Sequence, residues 1–133
     1  MVADTGPIIA FARMGRLDLL RQVVGELLIP NGVYEELVVK GKGRPGATEV
    51  EHGGWIHRKA IADQAALVQL PPDLHSGERE AIILAQELKA QLLIDEDRGR
   101  RISSARGVEP VGSLWILAEA KRLGLIDRAK PIL

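Results

Sequence analysis

The chain has 133 residues, 18 Lys and Arg against 18 Asp and Glu, no cysteine and 3% aromatic residues. Its length fits one domain, residues 1–133, and 46% hydrophobic with 27% charged residues is an ordinary globular composition able to build a core rather than a disordered one. Without cysteine there is no disulfide scaffold, thiolate zinc site or cysteine nucleophile, and zero net charge argues against a generic electrostatic binder of nucleic acid, so any nucleic-acid chemistry must be local.

The N-terminus has no basic region leading into a long apolar stretch, and no apolar run approaches the roughly 18 residues that span a bilayer, so a cytoplasmic protein without membrane insertion is expected. Val2-Ala3 reads as a short strand entering Asp4-Thr5-Gly6-Pro7. A helix over Ile8 to Met14 follows, with Thr5 as N-cap, Pro7 tolerated in the first turn and Gly15 as its end. Leu17, Leu20 and Val24 recur at helical spacing, and Gly25 stands at the expected C′ position. Leu27-Leu28-Ile29 is a buried strand ended by Pro30, and Val33, Tyr34, Leu37 and Val38 form the face of another helix. The stretch from Lys40 to Gly46 reads as an exposed flexible loop. Trp55 to Arg58 reads as a strand, and Ala62 to Val68 fits no single pattern.

Pro71-Pro72 breaks the chain before a helix capped by Ser76, with Glu78 in its first turn and Ala81, Leu84, Ala85 and Leu88 on one face. Leu92 to Ile94 is a strand running into Asp95-Glu96-Asp97, followed by a basic helix over Arg98 to Ala105 and a strand over Val108 to Val111. Pro110 lacks a ladder donor and places that strand at a sheet edge. Leu114 to Leu123 is the last helix, closed by Gly124 and Leu125 in a Schellman-like end. Short apolar strands alternating with helices predict an α/β domain, a short parallel sheet with helices on both faces.

Ligands of open α/β sheets sit at the carboxyl ends of strands, where this pattern puts Asp4 and the group Asp95, Glu96 and Asp97. Crowded acids repel unless a cation neutralises them, and oxygen-only ligands favour Mg²⁺ or Mn²⁺. Each acid also has a plain structural reading: Asp4 as a helix cap, the 95–97 acids as a solvated first turn. Glu35 and Glu36 flank one apolar face at similar angles, and helical geometry does not choose between them. Glu78 and Glu80 open a helix where the dipole favours acids anyway.

These segments make the chain resemble the PIN-domain family, the compact Mg²⁺-dependent nuclease fold of many prokaryotic toxins. The resemblance rests on Val2 to Ala10, Leu28-Ile29-Pro30 with Val33 to Leu37, Gly77 to Ile82, Leu92 to Arg101 and Val111 to Leu114. It implies a three-layer PIN-like domain and carries the family's acids onto Asp4 with Thr5, Glu36, Glu80 and the 95–97 segment. Family members often have Asp where this chain has Glu80, and Glu78 substitutes for it by one helical shift. The fourth ligand falls on Asp95 or Asp97.

The function so implied is metal-dependent phosphodiester hydrolysis of RNA. Asp4, Glu36, Glu80 and Asp97 are the catalytic set, and Asp4, Glu80, Asp95 and Asp97 hold Mg²⁺ or Mn²⁺. Thr5, Arg98 and Arg100 position substrate, with Lys40, Lys42, Arg44, Arg101 and Arg106 as further backbone contacts. By the same resemblance the chain is a toxin-type component with a cognate antitoxin, and a homodimer. The alternative is a non-catalytic PIN-like nucleic-acid-binding or regulatory module. A third reading, Asp4-Thr5-Gly6 as an aspartic-protease triplet, conflicts with the helical faces, since that fold is nearly all strand. His52, His57 and His75 follow no ligand spacing and read as surface residues, Trp55 and Trp115 as core or interface, and no phosphate loop of the G-x-x-x-x-G-K-[ST] type is present.

Overall fold

In the computed structural model, which describes residues 1–126, the apolar runs form very short strands joined by helices. In chain order these are β1 (Val2–Ala3), α1 (Thr5–Arg13), α2 (Leu17–Val24), β2 (Leu27–Ile29), α3 (Asn31–Tyr34) continuing into a π-helical turn (Glu35–Val39), α4 (Ala47–His52) and β3 (Ile56–Arg58). A 3₁₀ segment (Gln64–Gln69), α5 (Ser76–Leu88), β4 (Leu92–Leu93), α6 (Asp97–Ala105), β5 (Pro110–Val111) and α7 (Ser113–Arg122) complete them. The strands pair in the order β3-β2-β1-β4-β5, every neighbour parallel.

Side chains alternate across a strand, so each strand feeds two cores. Ala3, Leu27, Ile29, Leu93 and Val111 pack with Ile8, Phe11, Leu19, Leu20 and Val33, and with Ile116 of α7, on one face. Val2, Leu92 and Ile94 pack with Ala81 to Ala85 of α5, and with Ile61, Leu74 and Val108, on the other. The result is the expected α/β architecture of helices on both faces of a parallel sheet. Burial on both faces explains why the strands read as unbroken apolar runs.

Several local expectations meet their physical reason here. Pro110 lies in edge strand β5, which pairs by accepting from Leu92 N–H at Glu109 O and from Ile94 N–H at Val111 O, so the missing donor costs no ladder bond. The end of α7 closes as a Schellman motif, with Leu125 N–H donating to Ala120 O and Gly124 N–H to Lys121 O. Other expectations are corrected. Asp4, not Thr5, is the N-cap residue of α1, and His75, not Ser76, that of α5; neither side chain makes a cap hydrogen bond. Trp55 is core at 5% exposure, whereas Trp115 is 41% exposed on α7. Residues 47–52 form a helix that the sequence did not announce. Among the described residues no helix is long and apolar enough to cross a membrane.

The closest backbone approach relevant to the site is between α3 and α5. A Cβ on Gly32 would stand 3.0 Å from the Gly77 Cα and 3.1 Å from its N, and Gly32 N–H donates to Glu80 Oε1 at 3.2 Å. Only hydrogen fits between the two backbones. Gly32→Ala is expected to lower stability by about 1–3 kcal/mol, as overpacking does, read as a lower urea midpoint at unchanged slope; an unchanged midpoint would show that the helices separate without cost.

Candidate active site

The strand order reverses between β1 and β4: the chain runs outward from β1 to β2 and β3 on one side, and from β4 to β5 on the other. The carboxyl ends of these two neighbours form the switch-point crevice where α/β proteins bind ligands. Asp4 leaves β1 there with its N–H donating to Leu93 O, and Asp95 follows β4.

Asp4 is only 7% exposed. Burial disfavours its ionised form, and with the neighbouring charges of Glu78 and Glu36 it pushes the carboxyl from 3.8 up to about 7; the backbone amide of Thr5 and the charge of His75 act in the opposite direction. Glu78, from the first turn of α5, is likewise raised by burial and by Glu96 and Glu36. Its Oε2 and the hydroxyl of Thr5 are buried without a hydrogen-bond partner. Buried polar atoms are normally paired; Arg79 Nε is the third such atom among the described residues, and the two on the crevice are free to meet a ligand there.

Glu36 reaches the same crevice from the π-helical turn. Its Oε1 lies 2.6 Å from where a Cβ on Gly77 would stand, so glycine in the first turn of α5 makes room for that carboxylate. The π turn also resolves Glu35 from Glu36. The Lys40 N–H donates to Glu35 O, five residues back, so the 3.6-residue periodicity does not apply. Glu35 turns outward to pair with Arg58, which also stacks on the Tyr34 ring.

The remaining acids divide between cap and rim. Glu96 caps α6 by accepting from Arg98 N–H and Gly99 N–H, and a Cβ on Gly99 would stand 3.2 Å from Glu96 Oε2 and 3.6 Å from Glu78 Oε2. Asp97 opens α6 and is exposed. Asp95 accepts from Ser113 N–H at 2.7 Å and from the Ser113 hydroxyl at 2.5 Å, tying β4 to the start of α7. Glu80 holds Gly32 at the helix crossing. The structure therefore gathers Asp4, Thr5, Glu36 and Glu78, with Glu96 beyond, and engages Glu80 and Asp95 in structural hydrogen bonds.

Among the basic candidates, Arg98 pairs with Asp73, Arg100 donates to Ile94 O, and Arg106 donates to Gln86 and Gln69. His75 is exposed, as read from sequence, and bears electrostatically on both Asp4 and Glu78. Its only sequence signal was its place at the entry to the helix that carries Glu78.

No group of three or more Asp, Glu or His side chains already converges at metal-holding distance among the described residues. The chemistry of the donors nonetheless fits a hard divalent cation. All are oxygens, a cation would neutralise the mutual repulsion that raises Asp4 and Glu78, and one Glu78 oxygen stands unpaired.

Because the native carboxyl of Asp4 holds its proton up to about pH 7 while the unfolded chain releases it near 3.8, cation-free stability falls as pH rises between those values. The loss is on the order of 4 kcal/mol at most, from about 1.4 kcal/mol per pH unit. In EDTA, Asp4→Asn is expected to raise the melting temperature at pH 8 much more than at pH 5, and Mn²⁺ or Mg²⁺ is expected to stabilise wild type at pH 8 by binding the native state. Equal effects of Asp4→Asn at both pH values would contradict the strained carboxylate.

Comparison with known proteins agrees with this architecture. A solved structure of a PilT N-terminus domain protein from the hyperthermophilic archaeon Sulfolobus solfataricus P2 superposes with a TM-score of 0.63 at 20% identity, over 90% of this chain and 93% of that one, which speaks for the fold. No curated protein matches. The family model DUF3368, described as a PIN domain, matches residues 1–133, and PIN domains are generally nucleases that use divalent metal ions. Matched over its whole length, the chain belongs to the PIN domain family.

Proposed function

We propose that this protein is a divalent-metal-dependent ribonuclease that hydrolyses phosphodiester bonds of RNA, acting as the toxin-type component of a toxin-antitoxin pair. The observation that carries the reading is the buried, charge-strained Asp4 facing Glu78 and Glu36 at the switch point, with the Thr5 hydroxyl and Glu78 Oε2 unpaired. Mg²⁺ or Mn²⁺, held by Asp4 and Glu78 with Glu36 and Asp97 at the rim, would supply an activated water and offset the charge developing on the phosphate.

The chain's own residues do the rest. The Thr5 hydroxyl, free of intramolecular partners, is available to donate to a phosphate oxygen. Glu36, seated against Gly77, accepts a proton-bearing ligand such as water at the mouth of the crevice. Glu78 takes the ligand role expected of Glu80, because the Glu80 carboxylate is engaged with Gly32 N–H. RNA as substrate, a cognate antitoxin, a homodimer and a cytoplasmic setting follow from the likeness to toxin-type PIN proteins.

A non-catalytic binding or regulatory module is the second reading, favoured by the structural use of Glu80 and Asp95. The two separate in one assay of RNA cleavage with Mg²⁺ or Mn²⁺. Asp4→Asn and Glu78→Gln are each expected to slow cleavage about 100-fold or more, at or beyond the 10–100-fold typical of residues that merely support a metal ligand. Glu80→Gln should stay within about tenfold of wild type and show its effect in the melting temperature instead. Wild type that cleaves no better than Asp4→Asn under either cation decides for the module.

A further inference from the structure

A cavity of about 250 Å³ adjoins the acidic crevice, lined by Thr5 and Glu36 on the side of the acids and by Ile9, Arg13, Lys40 and Arg44 elsewhere. Its cations come from separate elements: Arg13 ends α1, Lys40 follows the π turn, and Arg44 lies in the loop beyond. Among the described residues none of the three has a carboxylate within ion-pair distance, whereas Arg16, Arg58, Arg98 and Arg122 each do. All three are solvent-exposed, and with one carboxylate, Glu36, on the same lining the cavity keeps an excess of positive charge that an anion would offset.

The loop carrying two of these cations is exposed between Lys42 and Pro45, as its composition suggests, and packs closely at both ends. At one end Gly41 is buried, and a Cβ there would lie 2.5 Å from Leu37 O and 2.9 Å from Glu36 O, so the chain folds flat onto the π turn immediately after Lys40. At the other end Gly46, at φ 96°, brings the backbone so near α1 that a Cβ would stand 3.1 Å from the Cβ of Ala12, next to Arg13. Between these ends Arg44 N–H donates to Gly41 O. The two glycines thus fix the ends of the loop whose Lys40 and Arg44 line the cavity together with Arg13.

We propose that this cavity is a phosphate subsite for the RNA strand flanking the bond to be cleaved, gripped by Arg13, Lys40 and Arg44; the proposal rests on the nuclease reading of the adjoining acids. Three unpaired cations around one cavity match an anion, and the shared wall of Thr5 and Glu36 places that anion one step from the acidic crevice. A cavity of about 250 Å³ has room for a backbone phosphate with its sugar, and the cations around it favour the phosphate. Phosphate contacts position a strand without reading its sequence, so the subsite adds affinity and register to any RNA alike.

The test is binding of fluorescently labelled single-stranded RNA by anisotropy, in EDTA so that no cleavage intervenes, over a series of salt concentrations. Arg13→Gln, Lys40→Gln and Arg44→Gln are each expected to weaken binding by roughly 3–10-fold and to reduce the slope of log affinity against log salt by about 0.7, equally for oligonucleotides of different sequence. The double variant Arg13→Gln/Arg44→Gln should lose about twice that slope, and Arg122→Gln, outside the cavity, none. Thermal melts check that the exposed substitutions leave the fold intact. Unchanged affinity and slope in the single and double variants overturn the subsite, and if wild type still cleaves with Mg²⁺ or Mn²⁺ the nuclease reading survives that failure. Loss of slope in a protein that cleaves no RNA overturns the subsite as one flanking a cleaved bond, together with the nuclease reading, and leaves only an RNA-backbone contact at this cavity. Inorganic phosphate that displaces RNA at equal phosphate concentration, or a polyglutamate peptide that binds more tightly than RNA with the same dependence on Arg13, overturns the assignment to a strand in favour of a free anion or an acidic protein partner.

Discussion

Burial of one carboxylate, Asp4, is the constraint around which the molecule is arranged. A charged group taken out of water destabilises the fold unless it is neutralised or paired, and the two further carboxylates that bear on Asp4 outweigh the opposing charge of His75. The site is held because β1 is the central strand of the sheet. Its two residues are fully buried, and Asp4 N–H extends the ladder onto β4, so the backbone on which Asp4 sits cannot swing outward to solvent without breaking the middle of the sheet. Such strain is tolerated where function requires it.

The second device is the glycine contact between α3 and α5. Gly32 and Gly77 let two helix starts approach to backbone distance, and three acids lie around that approach: Glu36 packs over Gly77, Glu78 bears electrostatically on Asp4, and Glu80 is drawn onto Gly32 N–H. Three glutamates of the same type within α3, its π turn and α5 thereby acquire different roles. The difference lies in what each carboxylate meets and not in its chemistry.

Zero net charge conceals a separation of opposite charges across one stretch of surface. Acids collect at the carboxyl ends of β1 and β4, while Arg13, Lys40 and Arg44 collect around the neighbouring cavity. Composition sums these to nothing, yet a group seated against one cluster meets chiefly that cluster's charge, because Coulomb attraction falls with distance. In the basic segment after β4, Asp73 offsets the charge of Arg98, whereas Arg100 and Arg106 keep theirs while held in place by the neutral Ile94 O, Gln86 and Gln69.

Strands, helices and the α/β class were readable in the sequence because apolar periodicity and helix ends are local properties: Gly25 and Gly124 mark helix ends, and Pro110 could sit only at an edge. The prominence of Asp4 was readable for the same reason, since an acid that ends a short apolar strand in an alternating pattern has few places to go. The hydrogen bond of Glu80 to Gly32, the separation of Glu36 from Glu35, the ties of Asp95 to Ser113, the influence of His75 and the shared cavity of Arg13 and Arg44 were not readable. Each depends on a crossing, a π turn or a loop clamp that brings together residues distant in the chain. A carboxylate's partners are set by tertiary contact, which spacing along one helix does not encode.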